Sequence, residues 1–449
     1  MTERETHDGI LNPINSWNIR LIFDIYIGIG PYQDASRFPE NNEDDGGAGM
    51  DVLTTDVPVA DWVDLAELMA DPYPTYARLR REMPVAWVPA LNRFLVTGFD
   101  ACFQAELDQE TFSSHEDAER STQVRTMGRS MLRKDDPEHK RDRAASAGAL
   151  RPVTIRKVWM DIFERNASRY LQHVQALGPG VDIFREFAVP FAADNLCAIL
   201  GLRGVDASTM MDWSHTLIAG IGNVTDDQDV WRETQRVRYE MDAAIDESVA
   251  WLSREPDASM LSAMLHAAEP LSDEAMRANV RLTVSGGMNE PSHVIGSAIW
   301  ALLTHPDQLA EVRAGVWNWA DVFEETARWQ SPVGMYPRLV RKETWLAGVR
   351  IPAGATVGLV IASANRDERR FSHAERFDLR RERLTNLAFG NGTHICAGNW
   401  AARAMIGNVA LPRLFEALPG LRLEDPQAVA FRGWVFRGVR SLPVCWEAT

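Results

Sequence analysis

Cysteine is scarce in this 449-residue chain: Cys102, Cys197, Cys396 and Cys445 lie far apart and form no CxxC pair. That spacing excludes a zinc ribbon, a thioredoxin-like dithiol and an iron–sulfur cluster, and predicts reduced thiols. Long apolar runs are missing as well, none approaching the roughly 20 residues that cross a bilayer. The best candidate, IRLIFDIYIGIG at 19–30, is broken by Asp24 and lacks the cleavage motif and basic flank of a signal peptide, so a cytoplasmic location is expected. Positive charge is in deficit, with 47 Lys and Arg against 63 Asp and Glu and a net charge of −16. Such a surface repels nucleic acids and anionic membranes, and neither is expected as a partner. No GxGxxG dinucleotide unit or flavin-binding stretch occurs, so the chain carries no electron source of its own.

What is present reads as globular, with 45% hydrophobic and 24% charged residues. PENNEDDGGAG at 39–49 is acidic and glycine-rich, which predicts a linker at the end of an N-terminal extension, the two together making up 1–48. Beyond it the chain is continuous. A helix over YPTYARLRRE, strands over VAWV and RFLVTG and a further helix occupy 74–107, and a mainly helical stretch follows from 137 to 330. Strand character, with a hairpin at LAGVRIPAG, marks 336–360, and helix returns over 397–417. Helices segregated beside small sheets predict an α+β, mostly α fold.

Residues 387–400 read LAFGNGTHICAGNW. Gly390 and Gly392 permit turns and close approach to a flat ligand. Cys396 precedes a helical pattern, AGNWAARAMIGNVALPRLF, and would sit at a helix N-terminus, where unpaired N–H groups favour a thiolate. A thiolate placed there could be a nucleophile, a zinc ligand or a haem ligand. The first needs a catalytic histidine nearby, the second three further ligands, and the third a single sulfur.

Phe389, Gly390, Gly392, His394, Cys396 and Gly398 resemble the FGxGxHxCxG haem-binding loop of the cytochrome P-450 superfamily at every position. Glu325 and Arg328 resemble its ExxR motif, and Glu375, Arg376 and Phe377 its ERF segment, whose arginine completes a structural triad in that family. His139 and Arg143 resemble its HxxxR, and Arg338 its third propionate contact. The resemblance covers 59–449 as a single catalytic domain. It implies the cytochrome P-450 fold, with haem b buried between a distal and a proximal helix beside a small β-rich subdomain. It further implies Cys396 as iron ligand, with Phe389, Gly390, His139, Arg143, Arg338 and His394 holding the haem. A thiolate ligand pushes electron density onto iron and favours O–O cleavage.

The departure from the family lies in the distal helix. Counting back sixteen residues from Pro306 in SGGMNEPSHVIGSAIWALLTHP puts Asn289 at the family's usual acid and Glu290 at its usual alcohol. Haem-based oxygen activation needs protons at the distal face, and a carboxyl there can exchange one directly. An apolar pocket raises its pKa. Pro291 has no N–H for the carbonyl of Gly287. Asn289 and Glu290 are therefore the expected catalytic pair.

The resemblance implies a monooxygenase that hydroxylates, or O-demethylates, a small apolar or aromatic substrate with O2 and a separate ferredoxin or flavin reductase, docked through basic residues such as Arg141 and Arg403. Two alternatives stand beside it: a peroxide-driven peroxygenase, and a haem protein that senses a ligand without turnover. Expected pocket residues are Met288, Val333, Met335, Trp434, Val435 and Phe436, with Phe112, Met127 and Met131.

Overall fold

The computed structural model describes residues 57–447 apart from 117–120 and 224; the extension at 1–48 and the linker at 39–49 lie outside the described residues. After a short helix over Leu65–Ala70 come α1 (Tyr73–Glu82), the hairpin β1 (Val85–Val88) and β2 (Arg93–Val96), α2 (Phe99–Leu107) and β3 (Phe112–Ser113), close to the order expected from VAWV and RFLV. A helical block follows: α3 (Thr122–Met127), α4 (Glu138–Leu150), α5 (Met160–Leu177), β4 (Val181–Asp182), α6 (Val189–Leu200), α7 (Ala207–Ile221), α8 (Gln228–Leu252), α9 (Asp273–Thr304) and α10 (Trp319–Trp329).

Strands then return as β5 (Tyr336–Val340), β6 (Thr344–Leu346), β7 (Val349–Ile351) and β8 (Thr356–Leu359). After the loop that carries Cys396 come α11 (Asn399–Ala402), a π-helical turn over Arg403–Ala410 and α12 (Leu411–Ala417). Short strands β9 (Arg422–Leu423), β10 (Phe431–Arg432), β11 (Gly438–Val439) and β12 (Pro443–Cys445) finish the chain.

One five-stranded sheet, in the order β1-β2-β8-β5-β3, holds the site from below. β2 and β8 pair in parallel while the other neighbours are antiparallel. The expected hairpin is β6–β7, whose two-residue turn puts Ala347 at φ 49° and Gly348 at φ 80°. Left-handed values at both central residues suit the right-handed twist of the flanking strands.

The 32 residues of α9 span about 48 Å. Ser272 starts the helix by accepting from the Ala275 N–H, and Asp273 and Glu274 favour its positive N-terminal end. Twenty of its residues, from Ala275 to Leu302, are buried, so this helix is the spine of the large helical core. Two interlocks fix it. A Cβ on Gly287 would stand 2.6 Å from Leu196 of α6, so only glycine lets the two helices close. Trp300 stacks on Trp329 of α10 at 5.3 Å with 2° between the rings. Two smaller apolar clusters cover the faces of the sheet.

Candidate functional site

The 387–398 loop is held to its surroundings by backbone hydrogen bonds: Leu387 N–H donates to Asn365 Oδ1 at 2.7 Å and Cys396 N–H to the Phe389 carbonyl at 2.8 Å. Gly390 and Gly392 take φ values of 67° and 62°. A Cβ on Gly392 would come within 2.7 Å of the Glu106 carbonyl, so the loop presses against the end of α2 in a way that excludes a side chain. Phe389 lies beside Phe323 at 6.0 Å and beneath the Arg403 guanidinium at 4.6 Å.

Cys396 has accessible surface although burial pushes its thiol up, so it borders an interior space rather than the outer face. The Gly398 N–H, Arg143 and Arg403 oppose that rise without cancelling it. The helix expected after Cys396 is present, running without a break from Asn399 to Ala417, but desolvation outweighs what its N-terminal end supplies and the free thiol is raised. A bound metal cation deprotonates a coordinating thiol outright.

Above this loop lies a concentration of buried donors. The His394 ring sits 4.2 Å from that of His139, and its buried Nε2 has no hydrogen-bond partner. Burial, then Arg338, His139, Arg143 and Arg133, hold His394 neutral. Arg338 is buried, with a hydrogen bond to the Pro337 carbonyl at 3.0 Å. Arg133, which sequence reasoning missed because it lies on a 3-10 turn without helical spacing, is buried beside it and bonds Gln123 of α3. Burial pushes both guanidiniums down to about 10.

A second group fixes this cluster in place. Asp142 of α4 takes Lys134 Nζ at 2.5 Å and Asn279 Nδ2 of α9 at 3.1 Å, while Asn279 Oδ1 accepts from Met131 N–H at 2.7 Å. An interior so rich in cations and unspent donors fits a ligand with two carboxylates over a flat body, as haem has.

Behind the loop, Glu325 and Arg328 form a two-pronged pair at 2.8 and 2.7 Å. Arg328 also donates to the carbonyls of Asn365, Ala374 and Arg376. The third arginine is a correction. The Arg376 side chain is 71% exposed and meets only Glu375 at 3.3 Å; its backbone carbonyl alone joins the network. Arg381, 6% exposed, sends Nε to Glu325 Oε1 at 3.2 Å. Glu325 Oε1 also takes the Asp378 N–H at 3.0 Å, so the turn at 378 swings Arg381 inward.

Both expected docking cations have acidic neighbours. Arg403 is bound to Glu324 and Asn399. Arg141 is exposed and lies 3.7 Å from Asp142.

On α9 the two residues of the expected catalytic pair part company. The Glu290 carboxyl folds back along the helix, its oxygens 3.8 and 3.9 Å from where a Cβ on Gly286 would stand. Oε2 is buried without a hydrogen bond, and burial raises the pKa to about 8. Its charge acts on Cys396, which places both on the same interior space. Asn289 turns the other way: Nδ2 donates to Ser214 Oγ of α7 at 2.7 Å and to the Ser285 carbonyl at 2.8 Å. Both amide hydrogens are spent, so Asn289 holds α7 and donates no proton to the site. Two histidines went unremarked in the sequence, the half-buried His215 of α7 and the buried His293 of α9, both held neutral by desolvation.

Of the expected pocket residues, Met335 and Trp434 pack in the apolar cluster beside the sheet with Tyr76, Leu79 and Leu95. Phe112 belongs to the core on the other face. Met127, Met131 and Met288 are buried in the helical core. Val333 bridges Phe436, and Phe436 and Met69 both pack against Ile218 of α7; neither Ile218 nor Met69 carried a sequence signal. Val435 is partly buried against the sheet core. No helix among the described residues is long and apolar enough to cross a membrane.

Comparison with known proteins returns the same loop and helices. The family model described as Cytochrome P450 matches residues 320–417. The cytochrome P450 monooxygenase PikC of Streptomyces venezuelae is 30% identical over 418 residues, covering 88% of this chain and 96% of its own length. The vitamin D(3) 25-hydroxylase of Pseudonocardia autotrophica is 29% identical over 83% of this chain and 93% of its own length. Among solved structures, P450BioI in complex with an acyl carrier protein ligated to hexadec-9Z-enoic acid superposes with a TM-score of 0.77 at 26% identity, over 84% of this chain and 99% of that one.

Proposed function

Because the chain belongs to the cytochrome P450 family and is a haem-dependent monooxygenase, we propose that Cys396 supplies the thiolate and that Glu290 manages the proton on the distal side, in the oxidation of a small apolar or aromatic molecule. When bound, the haem supplies oxygen activation for insertion into a C–H bond. His139, Arg143, Arg338 and His394 would hold its carboxylates, with Phe389 and Gly390 shaping the loop around the sulfur. The packing of Phe436 and Met69 on Ile218 supports a lipophilic substrate near the junction of α7 and the C-terminal strands. The chain has no flavin or dinucleotide motif, so reductive turnover draws on a separate ferredoxin or flavin reductase. Monooxygenase relatives leave the sensing alternative without support.

The observation that carries the Glu290 assignment is its buried, unpartnered oxygen over Gly286. A carboxyl with a pKa of about 8 is largely protonated at pH 7 and gives or takes a proton without an intervening alcohol. That chemistry favours peroxide as an oxidant beside the reductive route, since peroxide needs its own proton moved between oxygens. The assay is product formation by wild type and Glu290→Thr with hydrogen peroxide and, separately, with a reductase system. We expect the substitution to cut the peroxide rate about a hundredfold, the lower end of what one general acid–base group contributes. Equal peroxide rates would remove Glu290 from the chemistry.

A further inference from the structure

The last turn of α2 is inside out. Glu106 is 6% exposed and Leu107, the next residue, is 57% exposed. Hydrophobic burial alone would reverse them, and an acid kept inside against that preference marks a site with a use for it. Glu106 Oε1 lies 3.5 Å from the position of a Cβ on Gly390, with the Tyr336 hydroxyl 3.6 Å from the same point. The Asn391 N–H donates to its carboxyl, and Oε2 is buried without a partner. Arg338 is close enough to act on it electrostatically, yet no ion pair joins the two among the described residues, and the one hydrogen bond from the Arg338 guanidinium goes to its neighbour's carbonyl. An acid and a guanidinium that face one space without meeting leave room for a group that satisfies both.

Resting on the reading that Cys396 holds haem, we propose that Glu106 is a further haem-binding residue: as a carboxylic acid it donates a hydrogen bond to the haem carboxylate that Arg338 pairs with. A neutral acid has one O–H to give, and a carboxylate between Arg338 and that O–H receives a charge-assisted bond from each side. Burial raises Glu106 to about 8, with Arg338 and the Asn391 N–H acting against the rise, so the O–H is present at neutral pH. The groups facing it are Arg338 and Tyr336 from β5, the Asn391 N–H and the His394 carbonyl from the loop, and Cys102 from its own helix. Arg133 lies beyond Arg338, while Asp135 and Glu116 act on Arg338 from the far side. Among them Glu106 is the group that loses its proton just above neutrality.

The test is haem transfer from the ferric holoprotein to apomyoglobin between pH 6.5 and 9.5, with the ferric–ferrous midpoint potential followed over the same range. Wild type, Glu106→Gln and Glu106→Leu are compared. Wild type should lose haem about tenfold faster above pH 8.5 than at pH 7, with a break in the potential near pH 8. Glu106→Gln keeps a donor and should be slow and flat on both readouts, whereas Glu106→Leu should be fast throughout. A Glu106→Gln protein with the wild-type pH profile overturns the assignment, even if Glu106→Leu fails to fold. Failure of wild type to give the thiolate-type carbon monoxide difference spectrum would instead overturn the Cys396 reading on which this one rests.

Discussion

Replacing Arg381 by alanine should destabilise the protein far more than replacing Arg376, although only the latter lies in the motif that names the triad. Arg381 is 6% exposed, and its guanidinium reaches Glu325 Oε1 at 3.2 Å and the carbonyls of His373 and Arg376 at 3.0 Å each, with a further bond to the Ser372 carbonyl. Removal leaves three carbonyls without this donor and takes one of two guanidiniums from a buried carboxylate. Breaking one side of a buried charged network costs about 3–5 kcal/mol, and hydrogen bonds to charged groups about 1.5–3 each. Because Arg328 keeps Glu325 paired and water can enter from the partly exposed loop, about 3 kcal/mol is the working figure for Arg381→Ala. Arg376→Ala removes an exposed ion pair with Glu375, worth at most about 0.5–1 kcal/mol. Urea unfolding of the two variants beside wild type, followed by far-ultraviolet circular dichroism and by the Soret band, reads the difference directly. A loss below about 1 kcal/mol for Arg381→Ala, or an equal loss for Arg376→Ala, would refute the reasoning.

Stability should also fall on acidification through the histidines. His293, stacked 5.3 Å from Phe184, and His215 have folded-state pKa values pushed by burial to about 3 and about 4, below the unfolded value near 6.5. The unfolded chain therefore binds more protons between pH 6.5 and 4, so stability is full above 6.5 and is lost as pH falls through that window, by on the order of 2–3 kcal/mol per histidine. Urea midpoints of wild type and His293→Asn across pH 4–7.5 should show a shallower slope in the variant, and parallel slopes would contradict it. Gly392→Ala puts a methyl group 2.7 Å from the Glu106 carbonyl and strains a residue at φ 62°. It should lower haem occupancy of the purified protein by half or more, read as the ratio of Soret to protein absorbance, and unchanged occupancy would count against the close fit of loop and α2.

What the sequence disclosed tracks how local each signal is. The Cys396 loop, the Glu325–Arg328 pair and the His139–Arg143 spacing lie within single turns, so residue type and distance along the chain were enough to find them. Which of the arginines in RFDLRRER turns inward depends on the Asp378 N–H meeting Glu325, a contact across 53 residues, and no periodicity reports it. Asn289 and Glu290 were legible as a replaced pair, but neighbours on a helix point about 100° apart, and only the packing of α7 shows that Asn289 faces Ser214. Apolar residues carried least information. Met335 and Trp434 look the same in sequence whether they line a pocket or fill a core, and both uses bury them in an apolar cluster. Glu106 did leave a trace, the inverted Glu–Leu order at the end of α2, which becomes meaningful only once the loop is seen against it.

The link from α9 to α7 is an amide meeting a hydroxyl, Asn289 to Ser214. Neither partner ionises at any pH a cell reaches, and a neutral bond is indifferent to ionic strength. The bond holds α7 to α9 whatever the salt, so Glu290 can change its charge without breaking it, and acid reaches this junction only through the neighbouring histidines, His215 and His293.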